Sequence, residues 1–330
     1  MTMATPEAIL GLGRNFMGSR ILLTAVELDV FTLLAKKPLT AGEAARKLGA
    51  KERGTAILLD ALAAMELLKK RNGRYACTPP AAAFLAEGSP ASLLPMLMHS
   101  AHLWNSWSKL TERVRRGRVR QGLKVLSDDK HIKAFIGAMH VAAGRTAGAL
   151  VKAVRPGGAK RLLDVGGASG TYTQAFLEQS PAMRATLFDL PPVIRLARAR
   201  LKGTALSGRV DFVPGDFYRH PLPHGHDLAL LSAIIHMNGP EENAALYKKI
   251  YSALQPGGRL VIRDHVMSED HTAPRSGALF AVNMLAGTPN GATYSFSEIR
   301  ADLRAAGFTG VRQLQSAEMS SLVEAVKPAK

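Results

Sequence analysis

The sequence predicts an α/β fold in the second half of the chain and a mostly helical domain in the first half. Three observations support this prediction. Strand and helix patterns alternate from Lys160 onward, an apolar strand at Arg161 runs straight into a glycine-rich turn, and two apolar stretches near the end are joined by a short polar turn. With 330 residues the chain can bury a large core, and its length favours two domains. We assign residues 1–150 to the first domain and residues 151–330 to the second.

The second domain contains seven predicted strands, and helical patterns separate the first five of them. Such alternation indicates a parallel sheet covered by helices on both faces. The last two strands are close in sequence and predict an antiparallel hairpin, which differs from a dinucleotide-binding fold. The strands are predicted at 161–165, 185–188, 210–213, 228–234, 259–263, 311–314 and 321–326.

The first domain reads as helices followed by one hairpin. Thr40-Ala-Gly-Glu43 is a capping box, which starts a short helix that ends near Gly49. Asn72-Gly73 is a strong hairpin turn. The remaining predicted elements are a helix at 53–68 with Leu58, Leu62 and Met65 in its buried stripe, strands at 67–70 and 74–78, and further helices between 99 and 150.

This order of helix, turn, helix and hairpin is typical of a winged helix, which usually reads DNA. A recognition helix needs Lys, Arg, Asn or Gln on its outward face to contact phosphates and base edges. The second helix carries only Lys51 and Arg53, both at its start, and is otherwise apolar nearly all round. Such a surface suits burial against another protein. We therefore expect a dimerisation module rather than a DNA-binding one.

The composition gives weak evidence for other partners. The formal net charge is +17, but basic residues are scattered over both halves, and the dense run at 113–124 lacks aromatic residues for base stacking. The apolar segment 21–35 is interrupted by Glu27 and Asp29, and the N-terminus has no secretory pattern. The single Cys77 excludes an internal disulfide and fits a reducing compartment. We expect a cytoplasmic protein with no nucleic-acid or membrane partner.

The glycine-rich turn indicates a nucleotide-like ligand. Gly166, Gly167 and Gly170 follow an apolar strand and precede a helix, so backbone N–H groups can approach a ligand closely. Asp164 precedes the glycines and would repel the phosphates of a dinucleotide. S-adenosylmethionine has no phosphate and carries cationic sulfonium and ammonium groups. The turn therefore favours S-adenosylmethionine as the ligand.

Two further carboxylates follow at the ends of the next two predicted strands. Asp189, followed by Leu190, stands about twenty residues beyond the glycines, where a strand-end acid can accept both ribose hydroxyls. Asp216 can accept a hydrogen bond from the adenine amino group, and the Phe217 side chain can cover the adenine ring. Because the carboxyl ends of parallel strands meet at one edge, the three acids form a line where open α/β folds bind ligands.

Four segments together resemble the class I S-adenosylmethionine-dependent O-methyltransferases, in the subgroup of plant caffeate-type, acetylserotonin and bacterial antibiotic enzymes. They are Leu163–Gly170, Phe188–Pro191, Gly215–Phe217 and Gln255–Arg259. The resemblance spans nearly the whole chain. It implies a Rossmann-like sheet with a terminal antiparallel hairpin, a winged-helix homodimerisation domain that lends residues to the active site, and S-adenosylhomocysteine as the product. The acceptor would be a hydroxyl of a small aromatic metabolite.

The resemblance also assigns the catalytic residues. His236 corresponds to the family's general base, and a positioned imidazole helps because a phenol with a pKa near 10 is mostly neutral at pH 7. Asp264 stands where the family usually has an orienting Glu. Ser232 replaces a frequent Lys four residues before the histidine, and we assign it to cofactor binding. His265 is a rival base, and Arg263 could bind an acidic substrate.

Six residues are assigned to the acceptor. The tryptophans and the later apolar helix precede the cofactor domain and could roof its cleft, and the other two positions line the acceptor pocket in family members. They are Trp104, Trp107, Met139, His140, Asn283 and Met284.

A histidine-rich segment raises the question of a metal. His220, His224 and His226 lie close together, but Pro221 and Pro223 interrupt the segment between two predicted strands. An exposed loop explains this composition better, and nothing else supplies a carboxylate cage for Mg²⁺. We therefore expect no metal.

Two alternative functions stay open at this stage. An enzyme on the same scaffold could methylate nitrogen or carbon, or use the cofactor for something other than methyl transfer, and His236 would then position rather than deprotonate. A winged-helix regulator that senses a metabolite would show no turnover at all.

Overall fold

A computed structural model of the chain describes residues 5–117, 129–317 and 320–329. The chain divides into two compact units, Met1–Trp104 and Asn105–Lys330. The sequence suggested a boundary at residue 150 instead. The difference arises because the helices that precede the large sheet pack on helices of the second unit.

The first unit is mostly helical, as expected, and carries a small antiparallel sheet in the order β1-β3-β2. Its elements are α1 (Pro6–Arg14), α2 (Phe16–Glu27), α3 (Val30–Lys36), β1 (Leu39–Thr40), α4 (Ala41–Leu48), α5 (Glu52–Ala64), β2 (Leu68–Arg71), β3 (Arg74–Cys77) and α6 (Pro79–Leu85). The helix α7 (Leu94–Trp107) follows.

Local rules account for most of these elements. The Thr40 hydroxyl accepts from the Glu43 N–H at 3.2 Å, and the Glu43 carboxylate accepts from the Thr40 N–H at 2.8 Å, which confirms the capping box. Asn72 and Gly73 have φ of 48° and 72°, as a tight hairpin turn requires. The prediction for α5 was wrong in two respects. The helix ends at Ala64 because the chain must enter β2, and Met65 is exposed while Leu59 is buried.

The second unit is an α/β domain. Its elements are α8 (Leu110–Arg116), α9 (Asp129–Gly144), α10 (Ala147–Val154), β4 (Arg161–Val165), α11 (Thr171–Gln179), β5 (Arg184–Asp189), α12 (Pro191–Leu201), β6 (Val210–Pro214), β7 (His226–Ser232), α13 (Pro240–Ala253), β8 (Leu254–Asp264), β9 (Val266–Met267), α14 (Arg275–Gly287), β10 (Tyr294–Ser295), α15 (Phe296–Ala305), β11 (Thr309–Gln315) and β12 (Ser321–Val326).

Seven strands of the described residues form one sheet in the order β11-β12-β8-β7-β4-β5-β6. The five strands from β8 to β6 are parallel, and β12 is antiparallel to both β8 and β11. The fold prediction, including the terminal antiparallel pair, is confirmed. Most strand boundaries differ from the prediction by no more than two residues, and the largest difference is at β8, which begins at Leu254 rather than Arg259; β7 ends at Ser232, before its predicted end. Ala233 has a φ of 58°, which takes the chain out of the extended conformation before the predicted end of β7.

The core lies on both faces of this sheet because alternate strand residues point to opposite sides. On one face, Tyr247 of α13 and Phe308 pack on strand residues such as Leu231. On the other face, Phe176 of α11 packs on residues such as Leu230. Burial of one such side chain stabilises the fold by about 1.5–3 kcal/mol. The two packed faces leave the strand ends at the carboxyl edge as the place where polar side chains can gather.

The composition-based expectations can be followed in the described residues. Cys77 is half-buried and its Sγ lies 3.4 Å from the Phe31 carbonyl oxygen. Within the described ranges no group of three or more His, Cys, Asp or Glu residues is placed to hold a metal ion. The sequence predicted an exposed loop for His226, but this residue is buried at the start of β7, and its Nε2 lies 2.9 Å from the Thr186 hydroxyl. No single helix in the described ranges is long and apolar enough to cross a bilayer. The helices α9 and α10, which meet at a bend, reach the required length and apolarity only when they are counted together.

Candidate active site

The glycine-rich turn joins β4 to α11 in a space that excludes side chains. Gly166 has a φ of 69°, and a Cβ there would lie 2.7 Å from Cδ1 of Ile234. A Cβ on Gly167 would lie 2.8 Å from Cγ of Leu187. The Gly166 N–H donates to the Phe188 carbonyl at 2.8 Å, which fixes the turn against β5. The turn therefore packs tightly on its neighbours, which only glycine allows at these two positions.

A cavity of about 480 Å³ opens beside this turn, a size usual for small-molecule sites. Eight of the residues predicted to bind cofactor line it, namely Asp164, Gly166, Gly167, Asp189, Leu190, Asp216, Phe217 and Ser232. Met139, predicted to contact substrate, lines it as well. Gly170 does not; it is the N-cap of α11 with a φ of 72°, and a Cβ there would meet Leu187 and Leu201 in the core.

Two of the lining carboxylates are desolvated. Burial raises the pKa of Asp164 to about 6, although the carboxylate accepts from the Thr173 hydroxyl at 2.6 Å. Burial also raises the pKa of Asp189 to about 6, against hydrogen bonds that favour its ionised form. These come from the N–H groups of Ala168 and Leu190, at 2.8 Å and 2.7 Å. Both Asp189 oxygens are thus held in place at the end of β5.

The third acid sits in the loop after β6. The Asp216 carboxylate accepts from the Tyr218 N–H at 2.9 Å, and the Phe217 ring lies 4.5 Å from the Tyr218 ring. Lys249 of α13 donates from Nζ to the carbonyls of Phe217, Tyr218 and His220 at 2.7–3.1 Å. Lys249 therefore fixes the loop that carries Asp216 and Phe217.

His236 and Asp264 form a hydrogen-bonded pair at the ends of β7 and β8. His236 lies in the 3₁₀ turn Ile235–Met237, with Nδ1 2.7 Å from Oδ1 of Asp264. The same Oδ1 accepts from the His265 N–H at 2.8 Å. Burial would raise the pKa of Asp264, but the His236 imidazole and the two hydrogen bonds outweigh it and hold that pKa below its ordinary value. The carboxylate therefore stays ionised, and Nε2 is the His236 nitrogen left to accept a proton.

Phe280 of α14 fixes the orientation of both histidines. Its ring meets the His236 ring edge-on at 4.8 Å and stacks on the His265 ring at 4.5 Å. His265 is buried, and burial lowers its pKa. Neither histidine lines the cavity itself, but Ile234 and Met237 on either side of His236 do, and of the two rings that of His236 is the one bonded to a carboxylate. Gly291 lies under the His236 turn, since a Cβ there would come 2.5 Å from the His236 carbonyl.

Of the predicted acceptor residues that belong to the second unit, Met139 lines the cavity and the others do not. Trp107 donates from Nε1 to Oδ1 of Asn283 at 2.8 Å, and Met284 is buried. His140 is exposed, with Nδ1 2.7 Å from the Thr171 hydroxyl. Trp104 belongs to the first unit, where the Arg20 guanidinium lies 5.4 Å from its ring centre.

Several cavity residues had no place in the sequence-based site. Tyr172 stands two residues after Gly170, so its place at the start of the helix that follows the glycine turn was an available signal. Glu242 lies in the first turn of α13 and accepts from the Gly239 N–H at 2.7 Å. Arg263 was considered only for an acidic substrate, yet it also lines the cavity.

A parallel sheet with a terminal antiparallel pair, a narrow glycine turn and an acid-lined cavity at the carboxyl edge define a Rossmann-like methyltransferase. Comparison with known proteins agrees. The O-methyltransferase domain family matches residues 107–309, and the O-methyltransferase dimerisation domain family matches residues 10–87. The chain therefore belongs to the O-methyltransferase family.

Individual relatives extend over almost the full chain. Tetracenomycin polyketide synthesis 8-O-methyl transferase TcmO of Streptomyces glaucescens is 33% identical, over 98% of this chain and 97% of the relative. The 3-hydroxy-5-methyl-1-naphthoate 3-O-methyltransferase of Streptomyces sahachiroi is 31% identical, over 94% and 92%. The structure of human N-acetylserotonin methyltransferase in complex with S-adenosylmethionine is similar with a TM-score of 0.84 and 26% identity, over 99% of this chain and all of that one. The protein is an S-adenosylmethionine-dependent O-methyltransferase.

The cavity suits this cofactor. Its carboxylates offer hydrogen-bond acceptors and negative charge, as a ligand with a sulfonium, an ammonium and ribose hydroxyls requires. The space that Cβ atoms would need at Gly166 and Gly167 is filled by Ile234 and Leu187, so the turn beside the cavity requires glycine at both positions.

Proposed function

We propose that the protein methylates a hydroxyl of a small aromatic acceptor and that His236 is the general base, oriented by Asp264. The observation that carries this proposal is the 2.7 Å contact between His236 Nδ1 and Asp264 Oδ1 beside the cavity. An ionised carboxylate on Nδ1 keeps the proton there, so Nε2 stays free to take the acceptor's proton.

Asp189 is proposed to bind the ribose hydroxyls and Asp216 the adenine amino group, while Phe217 covers the ring. The fixed oxygens of Asp189 support this role because they need no reorientation when a ligand arrives. Asp164, with its raised pKa, supplies negative charge beneath the glycine turn. Leu190 and Ser232 contribute contacts at the ends of β5 and β7.

The cofactor supplies an electrophilic methyl group on a sulfonium. His236 accepts the acceptor's hydroxyl proton at Nε2 as the new oxygen–carbon bond forms and the carbon–sulfur bond breaks, with that bond's electrons passing to sulfur. Asp264 stabilises the resulting imidazolium through the hydrogen bond at Nδ1. Phe280 limits rotation of the imidazole during the transfer.

An aromatic hydroxyl is the acceptor class that the relatives support. Two of them are named for a hydroxynaphthoate and for N-acetylserotonin, each of which carries a hydroxyl on an aromatic ring. Such a hydroxyl has a pKa near 10, within reach of imidazole catalysis, whereas an aliphatic alcohol is far less acidic.

The test is methyl transfer from labelled S-adenosylmethionine to 3-hydroxy-5-methyl-1-naphthoate and to N-acetylserotonin, with products identified by mass spectrometry. We expect an O-methylated product, and a loss of at least tenfold in turnover for His236→Ala with unchanged affinity for S-adenosylhomocysteine. His265→Ala is the matched variant, and its turnover should fall much less. Unchanged turnover in His236→Ala would remove this histidine from the base role, and transfer only to the corresponding amines would contradict O-methylation.

We also propose a homodimer formed through the first unit. Large apolar side chains of α1 and α2 are more than half exposed in the single chain, which favours their burial against a second copy. They are Ile9, Leu10, Leu12, Phe16 and Met17. Light scattering should give twice the mass of one chain, and Phe16→Glu should shift it toward the monomer. A wild-type monomer at micromolar concentration would contradict the proposal.

A further inference from the structure

The cavity contains one cationic side chain among the described residues that line it. Its other ionisable lining groups are the phenols of Tyr172 and Tyr218 and the carboxyls of Asp164, Asp189, Asp216 and Glu242. Arg263 is the exception, and it is partly buried at the end of β8. A guanidinium in such a place either balances a carboxylate of the protein or serves a ligand.

Arg263 has few partners within the described part of the chain. Nη1 lies 3.4 Å from the Ser232 hydroxyl, a long hydrogen bond, and the guanidinium carbon lies 5.4 Å from the centre of the Tyr172 ring. No carboxylate of the described residues lies within 4.0 Å of it. Most of the five N–H donors of this guanidinium are therefore left for another partner.

Other partly buried arginines of the same unit are satisfied by the protein. Arg259 donates to Oε1 of Glu324 at 2.7 Å. Arg209 donates to the carbonyls of three residues at 2.6–3.1 Å. Arg263 differs from both because its remaining donors are in the cavity wall.

The position of Arg263 along the sheet edge indicates what it binds. It is paired in register with Ser232 of β7, and the strand order β8-β7-β4-β5-β6 puts it at the opposite end of the cavity edge from Asp189 and Asp216. S-adenosylmethionine has its adenosine at one end and its amino-acid group at the other. With adenosine on the acids of β5 and β6, the amino-acid end points toward β7 and β8.

We propose that Arg263 binds the carboxylate of the cofactor's amino-acid group. This inference rests on the proposed function above, because it assumes the adenosine end lies on Asp189 and Asp216. A guanidinium and a carboxylate form paired, charge-assisted hydrogen bonds, which are among the strongest polar contacts in proteins. Tyr172 holds the guanidinium plane from one side, and Ser232 holds one nitrogen. Arg263 thus discriminates a cofactor with this carboxylate from one that lacks it.

Calorimetry with two ligands tests the assignment without turnover. One is S-adenosylhomocysteine, and the other is S-adenosyl-3-thiopropylamine, which keeps the adenosine, the sulfur and the amine but lacks the carboxylate. Wild type should bind the first at least tenfold more tightly than the second. Arg263→Met should lose about 10- to 100-fold in affinity for S-adenosylhomocysteine and no more than about twofold for the amine. Arg263→Lys should recover part of the loss.

Arg198→Met is the matched control. The Arg198 guanidinium also lies over an aromatic ring, 5.1 Å from the centre of Phe212, but it does not line the cavity. Its substitution should leave both affinities unchanged.

Three results would overturn the inference. Equal losses for both ligands in Arg263→Met would mean that the side chain only shapes the cavity. Unchanged affinity for S-adenosylhomocysteine would exclude the contact, and a rise in KM for the hydroxynaphthoate alone would then assign Arg263 to the acceptor's carboxylate. If wild type bound neither ligand, the proposed function itself would fail, which is distinguishable from either result.

Discussion

The two halves of the sheet's carboxyl edge differ in how they are built. At the ends of β4, β5 and β6, backbone N–H groups and a hydroxyl hold the acids, as when Asp189 accepts hydrogen bonds from Ala168 and Leu190. At the ends of β7 and β8, side chains hold one another, as when the His236 ring meets the Asp264 carboxylate. The acids of the first half are proposed to bind the adenosine, and the His236 and Asp264 pair of the second half is proposed to move the proton, while Arg263 in that second half is proposed to hold the cofactor's other end. We infer that affinity and turnover can be changed separately.

The largest effect is expected in turnover, from Asp264→Asn. The amide cannot stabilise an imidazolium or fix the Nδ1 proton, so kcat should fall about 10²–10⁴-fold. Affinity for S-adenosylhomocysteine should stay within about twofold of wild type, since Asp264 lies at the end of β8, away from the acids at the ends of β4, β5 and β6. ¹⁵N spectra of the His236 ring should show a proton on Nδ1 in wild type and a mixture of tautomers in the variant.

A loss of cofactor affinity equal to the loss of kcat in Asp264→Asn would erase the proposed separation. So would an unchanged His236 tautomer together with unchanged kcat.

The next largest effect is expected in affinity, from Asp189→Ala. Two hydrogen bonds from ribose to a charged acceptor would be lost, so the Kd for S-adenosylhomocysteine should rise about 10²-fold or more. Asp211→Ala is a suitable control because its side chain is 59% exposed and pairs with Arg184 outside the main cavity. Calorimetry of both variants gives the answer. Retained affinity in Asp189→Ala would contradict the ribose assignment.

A smaller effect is expected from pH. Asp164 and Asp189 have pKa values of about 6, so both are ionised at pH 7 and become protonated as the pH falls below 6. Affinity for S-adenosylhomocysteine should be full above pH 7 and drop about tenfold by pH 5 for each carboxylate that must be ionised. Asp189→Asn should flatten this dependence. A flat affinity from pH 7 to pH 5 in a folded wild type would contradict the assignment.

The smallest effect is expected in cofactor affinity, from the lysine that holds the loop after β6. Lys249→Met removes three hydrogen bonds that fix the loop of Asp216 and Phe217, so the Kd for S-adenosylhomocysteine should rise about three- to tenfold. Lys248→Met, the neighbour on α13 that is exposed, should change nothing. Equal behaviour of the two variants would show that the loop needs no such support.

The contrast also explains what the sequence could predict. Glycine spacing and strand-end acids are local signals, so the β4 turn, Asp189 and Asp216 could be placed from the order of residues alone. Gly170 shows the limit of that reasoning, because a glycine in the right motif can face the core instead of the ligand. Leu187 packs against both Gly167 and Gly170, and it is the cavity wall, which includes Gly167 and not Gly170, that distinguishes them.

The residues that depend on distant contacts could not be placed in this way. Asn283 bonds to Trp107, 176 positions away, and no spacing rule predicts that pairing. Arg263 could be found as a charged residue at a strand end, but its position beside Ser232 and Tyr172 requires the sheet register. The His236 and Asp264 pair was predicted because a family resemblance supplied what periodicity could not.

The most direct measurement is a crystal structure of the protein with S-adenosylhomocysteine. The account predicts ribose hydroxyls on the Asp189 carboxylate, the amino-acid carboxylate on Arg263, and the sulfur facing Nε2 of His236. A ligand with its ribose away from Asp189, or with its sulfur turned away from His236, would contradict the roles proposed for these two residues.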